Sequence, residues 1–373
     1  FGLFEGRDVI KSSIQYYKDN NIPYADWGDI PIFTKKEMIF MLFDFIKKSL
    51  TSLWKEFDLY LFILFLYNYT NIKKNIKRLE QMPGLKIVLV GFDVVFPPAL
   101  SLACRMRNIS TVGAQERMIS AWWTGPLLFD HYFVYGRVSS QKLEKRFKGL
   151  INKKYEIGPV RLDNHYEVAD TKKELKKLLP HYKWRVLALD AHSSPDFYEN
   201  GRNIGNSWRN NLKFYQDILR LCAYFPQVHF MIKGKNTDFL TIPYFSEIVP
   251  KIDKTTNCML VRDYKKWTPF TSVSVCDIAI ALHTSLGDEM LALGKPLIFY
   301  DYTGFPSKIL DYGPEVLAHT FKDLRLKLAS FFENPDKYNQ RLDSIRKKCF
   351  NVSNETPKQL LDKGLIKIYR ATI

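Results

Sequence analysis

Short, unbroken apolar runs separated by polar turns dominate the second half of the chain. Arg185–Leu189, Val228–Ile232, Met259–Val261, Ile278–Leu282 and Pro296–Tyr300 have the continuous character of strands covered on both faces. Between them lie segments with helical spacing, Trp208–Tyr224, Pro269–Val275 and Ser285–Leu293. Strands alternating with helices predict a doubly wound parallel sheet. The first half has a related rhythm. Phe1–Glu5 reads as a strand, Asp8–Asp19 as a helix and Ile22–Trp27 as a strand closed by Gly28. Leu85–Val90 reads as a buried strand, Pro97-Pro98 opens a helix to about Arg107, and Ser110–Gly113 and His131–Tyr135 add short strands.

Two regions break this alternation. From Lys35 to Gln81 the chain is aromatic and basic, as in Met38-Ile39-Phe40-Met41-Leu42-Phe43 and Leu59-Tyr60-Leu61-Phe62-Ile63-Leu64-Phe65, and reads as two long helices. Gly158-Pro159-Val160-Arg161-Leu162-Asp163 reads as a crossing segment, followed by a charged helix at Thr171–Leu179 and a breaker at Pro180. The expected organisation is an α/β domain over 1–160, a second Rossmann-like domain over 161–320, and helices over 321–373 that pack back across both.

With 373 residues there is room for two domain cores, which excludes a peptide, a disulfide knot or a lone binding module. Lys and Arg number 55 against 39 Asp and Glu, a net charge of +16 that favours anionic partners without choosing among them. Five scattered cysteines without metal-binding spacing suit a reducing, cytoplasmic setting. The longest uncharged apolar stretch, Leu59–Ile72, is 14 residues, short of the ~20 that span a bilayer. No membrane-spanning helix is expected. The chain opens on Phe1 without a basic, apolar and small-residue leader pattern, which suits a piece of a longer or processed chain.

Ligands of open parallel sheets bind outside the carboxyl ends of the strands. The residues at those ends are Gln115-Glu116-Arg117, Asp190-Ala191-His192, Lys233-Gly234-Lys235 and His283-Thr284-Ser285. Two lysines around a glycine suit a phosphate, although a solvated turn would look the same. Thr284 and Ser285 open a helix whose free N–H groups favour an anion, and they are equally good N-caps. Glu289, one turn further, suits the two hydroxyls of a ribose, or is a surface carboxylate. Asp190 and Glu116, brought together from two domains, form the carboxylate pair that glycosyl transfer uses; taken singly, an N-cap and a Glu–Arg pair explain them. His192, His283 and Arg117 would screen a ligand's negative charge, ordinary polar packing being the plainer use of each histidine. P-loop, dinucleotide GxGxxG, HExxH and GxSxG signatures are missing.

The run His283-Thr284-Ser285-Leu286-Gly287-Asp288-Glu289-Met290-Leu291-Ala292-Leu293-Gly294-Lys295-Pro296-Leu297-Ile298 resembles the nucleotide-sugar site of GT-B glycosyltransferases. Gln115-Glu116-Arg117 with Leu189-Asp190-Ala191-His192 resembles, more narrowly, the retaining β-Kdo glycosyltransferases of bacterial surface polysaccharides, such as capsule or lipopolysaccharide. The resemblance implies a GT-B-like fold, two facing Rossmann-like domains with a cleft between them, and CMP-Kdo as donor. Asp190 would be the nucleophile and Glu116 the acid/base residue, with no cofactor. A single donor phosphate and the lack of an Asp-x-Asp grip point to metal independence, with Lys233, Lys235 and the helix start supplying the positive field. A lipid-linked glycan acceptor would bring the enzyme to the anionic inner membrane through the Lys35–Arg78 region. Two other readings remain open: a GT-B transferase with a different donor, including a CDP-linked polyol phosphate, and a non-catalytic protein binding membrane or, less in keeping with its long apolar runs, nucleic acid.

Overall fold

A computed structural model describes residues 2–4, 24–26, 35–50, 59–90, 96–116, 127–168, 172–191, 198–199, 202–203, 207–282, 284–303 and 312–372. Two parallel sheets organise them. In chain order the strands are β1 (Gly2–Phe4), β2 (Tyr24–Asp26), β3 (Ile87–Val90), β4 (Ser110–Ala114), β5 (Phe129–Val134) and β6 (Ile151–Glu156). There follow β7 (Trp184–Leu189), β8 (Tyr198–Glu199), β9 (Arg202–Asn203), β10 (Val228–Lys233), β11 (Cys258–Leu260), β12 (Ile278–Ala281), β13 (Leu297–Tyr300) and β14 (Leu317–Ala318). The first sheet has the order β3-β4-β5-β6, and the second β11-β10-β7-β12-β13-β14. β1 and β2 pair in parallel by themselves, and β8 and β9 form a short antiparallel pair.

The second sheet is the better-covered of the two. Every residue of β10, β12 and β13 is buried, as are Val186–Leu189 of β7. Helices cover it through their apolar faces, as Phe214, Ile218 and Leu221 do, and their starts are well capped. Ser207 caps Trp208–Tyr224, Thr268 with Pro269 starts Pro269–Val275, and Thr284 caps Ser285–Ala292. The Trp208–Tyr224 helix is anchored through Asp217, which accepts from Tyr300 of β13 at 2.7 Å and from Arg220 at 2.9 Å.

β3 corrects the reading of Leu85–Val90 as a buried strand. It lies at the edge of the first sheet, and Leu89 is 55% exposed. Several elements had no counterpart in the sequence reading, among them β6, whose Asn-Lys-Lys core is too polar for an apolar run, the Arg137–Arg146 helix before it, the Ile248–Lys254 helix and β14. The crossing segment also holds a short helix, Leu162–Glu167. The predicted helix Asp8–Asp19 lies outside the described residues.

Three helices end the chain, Phe321–Glu333, Pro335–Cys349 and Pro357–Thr372. The last returns to the first sheet, where Ile368 packs with Val112 and Phe133. Gly364 permits this approach, since a Cβ there would lie 2.4 Å from the Phe133 ring. Asn351 ties the same region down by donating its backbone N–H to the Tyr135 carbonyl at 2.9 Å and its side-chain amide to the Glu156 carbonyl at 2.8 Å.

The two aromatic helices are Lys35–Leu50 and Leu59–Glu80. They meet through the Phe45 and Tyr69 rings, 5.3 Å apart, and a Tyr69–Asp44 hydrogen bond. Leu79, Ile72 and Ile76 pack against Ala103 and Cys104 of the Pro98–Met106 helix. The remaining apolar surface is open: Ile39, Phe40, Phe43, Ile63, Phe65 and Tyr67 are all exposed. Among the described residues no helix is long and apolar enough to cross a membrane.

Candidate functional site

The strand order of the second sheet reverses at β7. From β7 the chain steps outward to β10 and β11, then returns to β12 on the other side of β7 before continuing to β13 and β14. Such a reversal leaves a crevice at the carboxyl ends of the two central strands, because the connections leave in opposite directions. Asp190 follows β7, Lys233 ends β10 beside it, and Leu282 and Thr284 come after β12 on the other side. The register fixes this neighbourhood: Leu189 lies opposite Lys233 and opposite Ala281.

Asp190 is almost fully buried. Its Oδ2 accepts from the Tyr215 hydroxyl and its Oδ1 from the Lys235 backbone N–H, each at 2.5 Å. Burial pushes its carboxyl up to about 7, against the opposing pull of these two donors and of Lys233 and Lys235. Tyr215, raised in turn by burial and by Asp190, keeps its proton and remains a donor.

Lys233 is not the exposed cation that its position after a strand suggests. It is the last residue of β10, 3% exposed, with Nζ 3.6 Å from the centre of the Tyr264 ring. Burial lowers its ammonium to about 8, while Asp190 works in the other direction. Lys235 is exposed. The turn between the two lysines is folded around Tyr264, whose hydroxyl lies 2.7 Å from the Gly234 carbonyl and 2.8 Å from that of Asn236. Gly234 is required there: a Cβ would meet Phe239 at 2.7 Å and the Asn236 carbonyl at 2.8 Å. This folding aims the Lys235 N–H at Asp190. Neither tyrosine was singled out from the sequence, since Tyr215 lies in the middle of a helix and Tyr264 in a charged loop, and neither stands at a strand end.

Thr284 caps the Ser285–Ala292 helix, its hydroxyl accepting from the Leu286 N–H at 3.4 Å, and Ser285 is half-buried on the first turn. Glu289 is fully buried, with His165 Nε2 3.1 Å from Oε2 and Arg161 Nε 3.4 Å from Oε1. The surface-carboxylate alternative is therefore excluded, and the partners come from the crossing segment, a contact that no local pattern signals. Asp288 beside it accepts from the Tyr312 hydroxyl at 2.8 Å.

In the first sheet, Gln115 is buried just beyond β4. Its Oε1 accepts from the Tyr135 N–H at 2.8 Å and its Nε2 donates to Ser139 at 3.2 Å. Both ends of the carboxamide thus fasten β4 to β5 and the next helix, a holding part where substrate contact was expected. Glu116 is half-buried, and its backbone carbonyl accepts from the Tyr135 hydroxyl. Arg117, His192 and His283 lie outside the described residues.

Two all-parallel, helix-covered sheets, one reversing its strand order at a polar crevice, define a doubly wound, Rossmann-like architecture. Solved structures share it over the whole chain. UDP-GlcNAc 2-epimerase from Neisseria meningitidis, bound to UDP-GlcNAc, is similar with a TM-score of 0.55 and 16% identity, covering 98% of this chain and 99% of that one. The S. aureus MnaA–UDP structure is similar with a TM-score of 0.55 and 13% identity over 100% and 96% of the two chains. A further UDP-N-acetylglucosamine 2-epimerase has a TM-score of 0.50 at 12% identity, over 91% and 89%. The chain therefore has a GT-B-type fold. No protein-family model and no curated protein matches it.

Proposed function

We propose that the chain is a nucleotide-sugar enzyme that transfers a glycosyl group, with Kdo from CMP-Kdo as the donor and a bacterial surface glycan as the acceptor. The observation that carries this reading is Asp190, a carboxylate fixed by two donors at the reversal point of the second sheet, with Lys233 and Lys235 on the neighbouring strand end. The GT-B-type neighbours holding UDP-GlcNAc and UDP support a nucleotide sugar in general, by analogy of fold. The likeness of 115–117 and 189–192 to β-Kdo transferases supports Kdo in particular.

In this scheme the nucleotide lies over the ends of β10 and β12. Lys233, Lys235 and the start of the Ser285–Ala292 helix face its phosphate, and the positive field needs no resident metal. A ketosidic centre losing its phosphate develops positive charge, which a carboxylate on one face stabilises and then captures. Asp190 is held for that attack: its backbone follows a buried strand, and its oxygens are oriented by Tyr215 and the Lys235 N–H. Capture forms a bond from an Asp190 oxygen to the anomeric carbon as the bond to the CMP phosphate breaks. Glu116 then takes the proton of the acceptor hydroxyl as it displaces Asp190, giving net retention. The exposed aromatic helices bring the enzyme to an anionic membrane carrying a lipid-linked acceptor.

The test is intact-protein mass spectrometry of Glu116→Gln incubated with CMP-Kdo, with free CMP measured in parallel. A covalent Kdo adduct that maps to Asp190 is expected. CMP release without any adduct, or an inverted product, refutes the double displacement. A lack of turnover with CMP-Kdo alongside turnover with another nucleotide sugar refutes the donor and leaves the transferase.

A further inference from the structure

Glu289 is wholly buried, yet its Oε1 accepts no hydrogen bond. An ionisable oxygen in that state has lost water without full replacement, and each such group in a native structure calls for a physical reason. The two groups that face the carboxylate come from the segment joining the sheets: Arg161, with Nε 3.4 Å from Oε1, and His165 of the Leu162–Glu167 helix, with Nε2 3.1 Å from Oε2. Both also meet Phe270. The Arg161 guanidinium lies 5.7 Å from the centre of that ring, and the His165 ring meets it edge-on at 4.8 Å.

Helical side chains lean toward the N-terminus, so Glu289 carries its carboxylate back toward Thr284 and Ser285. Phe270 lies in the first turn of the helix that follows β11, also at the carboxyl end of the sheet. The cluster therefore belongs to the same rim as Lys233 and Asp190. Within it the burial is graded: the Glu289 side chain is 0% exposed, His165 4%, and Arg161 40%. A wholly buried carboxylate, held on one oxygen by a buried imidazole, thus pairs on the other with a guanidinium that is partly open to solvent.

We propose that Arg161 is a donor-binding residue whose guanidinium takes the phosphate of a nucleoside monophosphate group, with His165 positioning Glu289 behind it. This rests on the nucleotide-sugar reading above and adds a cation from the crossing segment to a site otherwise built from the second sheet. The chemistry suits the task, because a planar fork matches phosphate oxygens in a way that an ammonium does not. The 3.4 Å approach to Oε1 is a loose ion pair rather than a hydrogen bond, so little is lost when the guanidinium turns outward. A donor hydroxyl then satisfies Oε1 in its place.

Calorimetric titration of the chain with CMP and, separately, with cytidine isolates the phosphate; UMP, GMP and AMP with their nucleosides extend the comparison if another base is preferred. Arg161→Gln is expected to weaken nucleotide binding about ten- to a hundredfold while leaving nucleoside binding within about twofold. Arg161→Lys, which keeps a cation beside Glu289, is expected to fold even where the glutamine variant does not and to lose several-fold on the nucleotide alone. Equal losses for nucleotide and nucleoside, or unchanged nucleotide affinity in both variants, overturn the assignment and leave the nucleotide-sugar reading standing. If the unaltered chain binds no nucleoside monophosphate, both fall together.

Discussion

Replacing Asp190 by Asn should make the protein less sensitive to rising pH. The buried carboxyl titrates at about 7 in the folded chain, against an ordinary value of 3.8. Between those values the folded state keeps a proton that the unfolded state has lost, so native stability falls as pH rises. A shift of about three units corresponds to roughly 4 kcal/mol over the full window, at about 1.36 kcal/mol per unit. About 2 kcal/mol of that falls between pH 5 and pH 7, where Lys233, lowered to about 8, is still mostly protonated.

The amide keeps the shape and cannot ionise. It can still accept from the Lys235 N–H, and a rotated Tyr215 hydroxyl can accept from its NH₂, so the pH-independent cost should be about 1 kcal/mol. Urea unfolding of the two proteins at pH 5, 6 and 7 measures the difference between chains that share everything else. The asparagine variant is expected to be equal or slightly weaker at pH 5 and the more stable of the two at pH 7. Curves that stay parallel across this range would show that Asp190 is already ionised when the chain folds, and the argument from burial would be wrong.

The transferase reading also sets a pH profile. If Asp190 acts as a carboxylate and Lys233 as a cation, kcat/KM should rise through about pH 7 and fall again from about pH 8, and a flat profile from 6 to 9 would count against both roles. Gly364→Ala should lower stability by about 1–3 kcal/mol, because its Cβ would lie 2.4 Å from the Phe133 ring; an unchanged melting temperature would mean that the last helix sits less tightly on the first sheet. Flotation with liposomes should show binding that needs anionic lipid and weakens with salt, since Lys73, Lys74, Lys77 and Arg78 follow the exposed apolar stretch; Phe40→Ser with Phe43→Ser should abolish it, and binding to neutral vesicles as strong as to anionic ones would refute the electrostatic part.

The legible parts of the fold were those in which one local signal decides the outcome. Trp208–Tyr224 and Pro269–Val275 were read with their observed ends because Ser207, Thr268 and Pro269 mark the starts and apolar spacing carries the rest. β6 was missed because its middle residues, Asn152, Lys153 and Lys154, are polar and show no apolar pattern, and only pairing with β5 makes them a strand. At the site, strand ends could be read and their surroundings could not. Asp190, Lys233 and Thr284 follow from position alone. Tyr215, Tyr264, Arg161 and His165 depend on which helix or segment packs over those ends, a long-range matter on which spacing is silent. Burial was the other blind spot, because Lys233 and Glu289 are charged residues that a sequence pattern assigns to the surface, while here an aromatic ring shelters one and an ion pair the other.

Asp190 and Lys233 are each pushed toward neutrality by the same burial, and this gives the site a property that ligand binding should reverse. A phosphate arriving beside Lys233 favours the ammonium and disfavours the nearby carboxylate, so both groups hold protons more tightly. At pH 8 Lys233 is about half protonated, while a nucleotide phosphate is already fully ionised, so nucleotide binding should take up about half a proton, with a smaller share from Asp190. Calorimetry with CMP in HEPES and in Tris reads this directly, since protons drawn from the two buffers carry different heats. Lys233→Met should remove most of the difference while leaving the nucleoside's heat unchanged. Heats independent of buffer, or net proton release, would place the phosphate away from Lys233 and shift the donor site toward Lys235 and the start of the Ser285–Ala292 helix.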